Sequence, residues 1–280
     1  GSYTVSNIDK TAAVLTLSAD KTALTNGKVV VSATASEAGT ISYQINGGEW
    51  KTDYVDGVEM TANGTVTFKF VDAAGNETIS EYVVGNIDIT APEAPVVSAD
   101  ITEATNGSVL VSATFSADTV TKQYYNGTEW VTYTGAIKVD ANDTTVQFRG
   151  IDAAGNISEV VSYTVSNIDK AAPTAPTATA DLTDPTNSNV TVSATFDAAS
   201  DVIANQYSLD GVTWLAYTGD GVVMTANGTV YFRSIDKAGN VSATGSYTVS
   251  NIDKVAPTAP ATTADIPSAT TGAVTVTASF

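Results

Sequence analysis

The sequence predicts an all-β chain built as a tandem array of antiparallel β-sandwich domains. Three observations carry this reading. The 280 residues repeat themselves at spacings of 80 and 84. Each period holds about seven short alternating stretches bounded by turn residues. No segment has helical periodicity.

The repeat is fixed by independent markers. DAAGN stands at 72–76 and 152–156, and DKAGN at 236–240. Trp50, Trp130 and Trp214 keep the same spacings. VVVSATAS (29–36) answers VLVSATFS (109–116), VTVSATFD (190–197) and VTVTASF (274–280). YTVSNIDK recurs at 3–10, 163–170 and 247–254, with a looser copy, YVVGNIDI, at 82–89. The sequence therefore divides into three complete repeats, 11–89, 90–170 and 171–254. Residues 1–10 match 245–254 letter for letter and are expected to be the last strand of a preceding repeat. Residues 255–280 are expected to be the first strands of a following, truncated one. A window from a longer array is the expectation.

Within the second repeat, Val96–Ala99 alternates after APEAP, where proline suits an entering edge strand. Ser108–Phe115 is a longer strand with Val109, Val111, Ala113 and Phe115 on one face. Lys122–Asn126 leads into Asn126-Gly127, a hairpin signal, and Trp130–Tyr133 returns from it. Ala136–Val139 and Thr145–Ile151 follow; DAAGN turns the chain, and Ile157–Ile168 runs out to the next repeat.

Composition narrows the function classes. There are 30 acidic and 12 basic residues, net charge −18, with no cysteine and no histidine. Nucleic acid and anionic membranes want a basic surface, so both are excluded as partners. No stretch reaches the ~18 apolar residues of a membrane span. With no histidine base, no thiol and no phosphate loop, and with every marked feature periodic, the sequence does not read as an enzyme.

The stretch YSLDGVTWLAYTGDGVVMTANGTVYFRSIDKAGNVS (207–242) resembles the bacterial immunoglobulin-like repeats of large secreted adhesins and other cell-surface proteins. In that family a strand ending in a DxAGN turn and an IDxTAP-like junction recur from domain to domain. Here IDKAAP (168–173), IDKVAP (252–257) and IDKTAA (8–13) depart slightly. The resemblance implies immunoglobulin-like sandwiches at a bacterial or archaeal cell surface, serving as the stalk of an adhesin. The alternative is a surface-layer or filament segment packed laterally against other copies; an array of carbohydrate-binding modules is a third. The immediate partners are the neighbouring repeats.

Two sets of residues invite a site. Trp50, Trp130 and Trp214, each followed by a tyrosine (Tyr54, Tyr133, Tyr217), are either sugar platforms or aromatics that fill the core or cover a sheet edge. In a sandwich, the last hairpin turn lies at the end where the chain arrives. Asp9 is thus expected near Asp72 and Asn76, Asp88 near Asp152 and Asn156, and Asp169 near Asp236 and Asn240. Converging carboxylates and amide oxygens suit Ca²⁺ between domains; the other reading is that the motif only makes a hairpin corner. Asp20, Asp100 and Asp181 are expected at the opposite pole. Nine Asn-x-Ser/Thr sequons occur, among them Asn63, Asn126 and Asn227; in Asn-Gly-Thr form they read mostly as turns, bare in a typical bacterium, and some would carry glycan in an archaeal surface layer.

Overall fold

The computed structural model describes residues 1–265 and 267–280. Its regular elements are all strands, and it divides into two compact units: Gly1–Thr102 with Ser108–Asn167, and Glu103–Gly107 with Ile168–Phe280. The architecture is a tandem array of immunoglobulin-like sandwiches.

The first unit holds two sandwiches. One is made of β1 (Leu15–Ala19), β2 (Val29–Ala35), β3 (Gly39–Ile45), β4 (Val58–Met60), β5 (Gly64–Asp72) and β6 (Glu77–Val84). Sheet β1-β2-β4 faces sheet β3-β5-β6. The other comprises β7 (Val96–Ala99), β8 (Val109–Thr114), β9 (Thr121–Tyr125), β10 (Trp130–Thr132), β11 (Ile137–Val139), β12 (Thr144–Ile151) and β13 (Val161–Val165). Its sheets are β11-β8-β7 and β10-β9-β12-β13.

The second unit repeats this plan with β14 (Thr177–Ala180), β15 (Val190–Thr195), β16 (Val202–Ser208), β17 (Leu215–Ala216), β18 (Val222–Met224), β19 (Gly228–Asp236) and β20 (Gly245–Val249). Sheets β14-β15-β18 and β17-β16-β19-β20 form its sandwich. A separate exposed hairpin joins β21 (Ala261–Ala264) to β22 (Val276–Ser279). Residues 1–10 enter no sheet.

Period-two patterning builds each core. On β5, Val66 and Phe68 are fully buried, and they meet Val29 and Val31 from the facing sheet. Val146 and Phe148 of β12, and Val230 and Phe232 of β19, do the same. A tyrosine crosses each core at a near-perpendicular angle to the central phenylalanine: Tyr54 on Phe68, Tyr133 on Phe148, Tyr217 on Phe232, with centroids 5.6, 5.4 and 5.6 Å apart. Its hydroxyl accepts from a strand amide, Ala33, Ala113 or Ala194. The polar tip is thereby satisfied inside the sandwich.

One expected strand is shorter than its pattern. Ile157–Ile168 is a ladder only over β13, whereas its counterpart β6 spans eight residues. The cause is a serine. Ser158 Oγ accepts from the Gly150 amide at 2.9 Å, and Ser242 Oγ from the Ser234 amide at 2.9 Å, just after each DxAGN turn. In the first repeat the corresponding Thr78 donates instead to the Ala13 carbonyl, and the ladder starts at once.

Candidate functional site

Each DxAGN turn is a self-contained cup for one carboxylate. The glycine takes φ of +90° (Gly75), +93° (Gly155) and +88° (Gly239), a region that penalises a Cβ. That reversal aims successive amides inward. Asp72 Oδ1 accepts from the Ala74 and Asn76 amides, both at 2.8 Å, and Oδ2 from the Asn76 side chain at 2.7 Å. Asp152 repeats the pattern, and Asp236 accepts from Asn240 through both its amide and its side chain.

These bonds set the acidity. The Asn76 and Asn156 side chains foremost hold Asp72 and Asp152 below the usual carboxylate range against the opposing cost of burial. At Asp236 burial is the largest influence and pushes the carboxyl up. The Asn240 side chain and the turn's amides together outweigh it, and the net shift is downward.

The structure brings the arriving NID aspartates to these turns through their backbones. Asn156 Nδ2 donates to the Asp88 carbonyl at 2.9 Å, and Asn240 Nδ2 to the Asp169 carbonyl at 2.9 Å. Asn76 Nδ2 lies 3.5 Å from the Asp9 carbonyl. Both neighbours of each amide group are acceptors, so the asparagine presents its NH₂ as a clamp between turn and incoming strand. The NID carboxylates cap their own turns: Asp9, Asp88 and Asp169 accept from the amides of Thr11, Thr90 and Ala171.

A third acid completes two of the three sites. Asp9, Glu37 and Asp72 bring carboxylate oxygens within 4.8 Å of one another, as do Asp169, Asp201 and Asp236. No such trio forms around Asp88 and Asp152 among the described residues. Glu37 and Asp201 escaped the sequence reading because the loops before β3 and β16 differ in length and wording (SEAG against DAASD), so no marker aligns them.

Asp20, Asp100 and Asp181 accept from the amides of Val30, Leu110 and Thr191, where they close the first hairpin of each repeat. The loop beyond Asp20 reaches the next NID. Thr25 bridges Ile87 in parallel, Asn86 Nδ2 donates to the carbonyls of Lys21 and Ala23, and the Asn26 amide donates to Ala154 of the following DAAGN turn at 3.1 Å. Thr105 likewise bridges Ile168, and the Asn106 amide donates to Ala238. The sequon asparagine Asn63 grips Ile87 by both its N–H and its C=O, and Asn227 grips Ile252 the same way.

The tryptophans do not fill the core. They lie on the outer sheet face, where Arg149 stacks on Trp130 at 4.2 Å, Arg233 on Trp214 at 4.1 Å, and Lys69 sits over Trp50 at 5.0 Å. Trp130 stands on the edge strand β10. The edge-covering reading describes them, and phenylalanine and tyrosine do the filling.

No protein-family model matches the chain. It is 28% identical over 233 residues to a PI-type proteinase of Lactococcus lactis subsp. cremoris, an alignment covering 71% of this chain and 12% of the proteinase. A PII-type proteinase of Lacticaseibacillus paracasei matches at 28% over 234 residues, again 12% of its length. The chain thus spans a small part of the curated relatives it matches. A solved structure described as a Ca²⁺-stabilized adhesin that helps an Antarctic bacterium reach out and bind ice superposes with a TM-score of 0.54 at 23% identity. That superposition covers 92% of this chain and 78% of the other. The likeness is one of fold. The described residues contain no helix long and apolar enough to cross a membrane.

Proposed function

We propose that the chain is a structural segment of a long cell-surface or secreted protein, an extended stalk that holds a distal domain away from its anchor. Residues 11–89, 90–170 and 171–254 are its complete repeats, with strands of neighbouring repeats at 1–10 and 255–280. No catalytic step is assigned to it. The observation that carries this reading is the recurrence of one clamp at every place where an NID segment meets a DxAGN turn. A clamp that only orders neighbours along a chain fits a spacer. The fold shared with a Ca²⁺-stabilized adhesin, and the similarity to a stretch of much longer proteinases, support an extracellular segment.

Calcium belongs to the same proposal. Two oxygen-rich trios, Asp9/Glu37/Asp72 and Asp169/Asp201/Asp236, have the hard-donor chemistry that Ca²⁺ takes. Three carboxylates so close repel one another unless a cation sits among them. At the middle place, Asp88 and Asp152 lack the third acid, and the Asn156 clamp acts alone.

Small-angle scattering and thermal melts of the chain with millimolar Ca²⁺ and with chelator test this. Expected is a longer, stiffer particle and a higher Tm with calcium, reversed by chelator. Superimposable curves would remove calcium from the reading, and a compact particle in both conditions would end the stalk. A lateral-assembly reading draws on Ile79 and Val83, exposed on edge strand β6. Concentration-dependent polymers would favour it.

A further inference from the structure

Six Asn-Gly pairs occur: 26–27, 46–47, 63–64, 106–107, 126–127 and 227–228. The pair is chemically labile because a glycine amide, unhindered by a Cβ, can attack the preceding side-chain carbonyl. The fold treats the six very differently. Asn63 and Asn227 have both Oδ1 and Nδ2 tied to an isoleucine backbone. Gly27 and Gly107 donate their N–H to Thr25 and Thr105 Oγ1 at 3.1 and 3.0 Å, and Asn26 and Asn106 are fixed through their own amides.

Asn46 and Asn126 remain. Both are exposed at hairpin tips, and among the described residues neither side-chain Nδ2, nor the Gly47 or Gly127 N–H, donates a hydrogen bond. Gly47 and Gly127 take φ of +72° and +97°, conformations that glycine alone adopts freely. The Asn126 Oδ1 accepts from the amides of Thr128 and Glu129, both at 2.9 Å, which polarises the side-chain carbonyl.

The third repeat supplies the comparison. At the same place before its tryptophan it carries Asp210-Gly211. Asp210 Oδ1 accepts from Val212 and Thr213 at 2.8 and 2.7 Å, the same two offsets that Asn126 uses. Those amides hold its carboxyl far below the usual range. An aspartate is therefore already at home in this turn.

We propose that Asn46 and Asn126 are self-modification sites, where the chain deamidates without an enzyme while its other Asn-Gly pairs are protected by the fold. The deprotonated Gly47 or Gly127 nitrogen forms a bond to the asparagine Cγ, and the Cγ–Nδ2 bond breaks. Ammonia leaves and a five-membered succinimide results. Water then opens the ring to aspartate or to isoaspartate, with no change of oxidation state. The aspartate product keeps the turn seen at Asp210. The isoaspartate product inserts an extra carbon into the backbone and does not.

The test is peptide mapping by mass spectrometry of the whole chain, aged in mildly alkaline buffer, folded and in denaturant. Each event adds about 1 Da and one negative charge. Folded, Asn46 and Asn126 should react roughly five- to tenfold faster than Asn63 and Asn227, the factor that breaking the Nδ2 hydrogen bond to the isoleucine carbonyl before reaction imposes. Denatured, all six pairs should react at comparable rates. Asn126→Asp should leave the melting temperature unchanged, as Asp210 requires. Equal rates in the folded chain, or Asn63 or Asn227 reacting first, would overturn the proposal. So would a destabilising Asn126→Asp.

Discussion

The middle and last NID–DxAGN contacts share a clamp and differ in charge. Asn156 and Asn240 each hold an incoming aspartate carbonyl at 2.9 Å and their own turn's carboxylate at 2.8 Å. Only the last adds a third acid, Asp201, and there Asp236 is completely buried. Under the proposed function the difference separates two jobs for one motif. Hydrogen bonds from a neutral amide fix geometry whatever the solution contains. On the calcium proposal, a carboxylate trio is unfavourable until a cation arrives, and stiffness at the last contact would then depend on calcium.

Matched sandwiches stand behind the two contacts, and their cores carry the largest expected effect. Phe148→Ala and Phe232→Ala should each cost about 3–5 kcal/mol in denaturant unfolding. Unequal losses would mean that the cores, not the acids, distinguish the repeats. Calcium comes next. Asp201→Asn should remove most of the calcium-induced rise in Tm at the last contact and Glu37→Gln that at the first. Asp118→Asn, the loop acid nearest in sequence at the middle contact, should leave the calcium response unchanged.

The clamps should rank lower and equal. Asn156→Ala and Asn240→Ala should each lose about 1–2 kcal/mol of local stability, read as faster hydrogen exchange at the adjoining turn. If Asn240→Ala loses much more in chelator, the two clamps are not equivalent. The smallest effect is that of acid. Asp72, Asp152 and Asp236 have folded-state pKa values below the unfolded value of about 3.9, so their contribution is complete above it. It drains away as pH falls toward the folded values. Without calcium, Tm should be flat from neutrality down to mildly acidic pH and fall only below about 4.

The sandwich was legible because its signal is repeated: alternation and DxAGN recur three times and Asn-Gly turns in at least two repeats at each place, so noise in one copy is corrected by the others. The pairing of NID with DxAGN was legible too, since it follows from which end of a sandwich the chain enters. Glu37 and Asp201 were not. They come from loops whose length is set by local packing, and no period passes through them. The tryptophans were legible only in part. A large aromatic at a fixed place reads as core filler or as edge cover, and Arg149 and Arg233 decide for the edge by providing a flat cationic partner on the outer face. The sequence gives no sign that the arginine, two strands away, will lie over that ring.

The contact between the Asn26 loop and the Ala154 turn has a mechanical consequence. Two domains joined by one strand of chain form a swivel, free to bend and to twist. In the first unit the following repeat is held at two further points, by Asn26 on Ala154 and by Asn156 on Asp88. Those points come from different segments of the preceding repeat. In the proposed stalk, torque applied to one sandwich would pass to the next through both contacts, and twisting would stretch at least one of them. Such a connection would transmit rotation as well as tension, as a shaft coupling does and a cord does not.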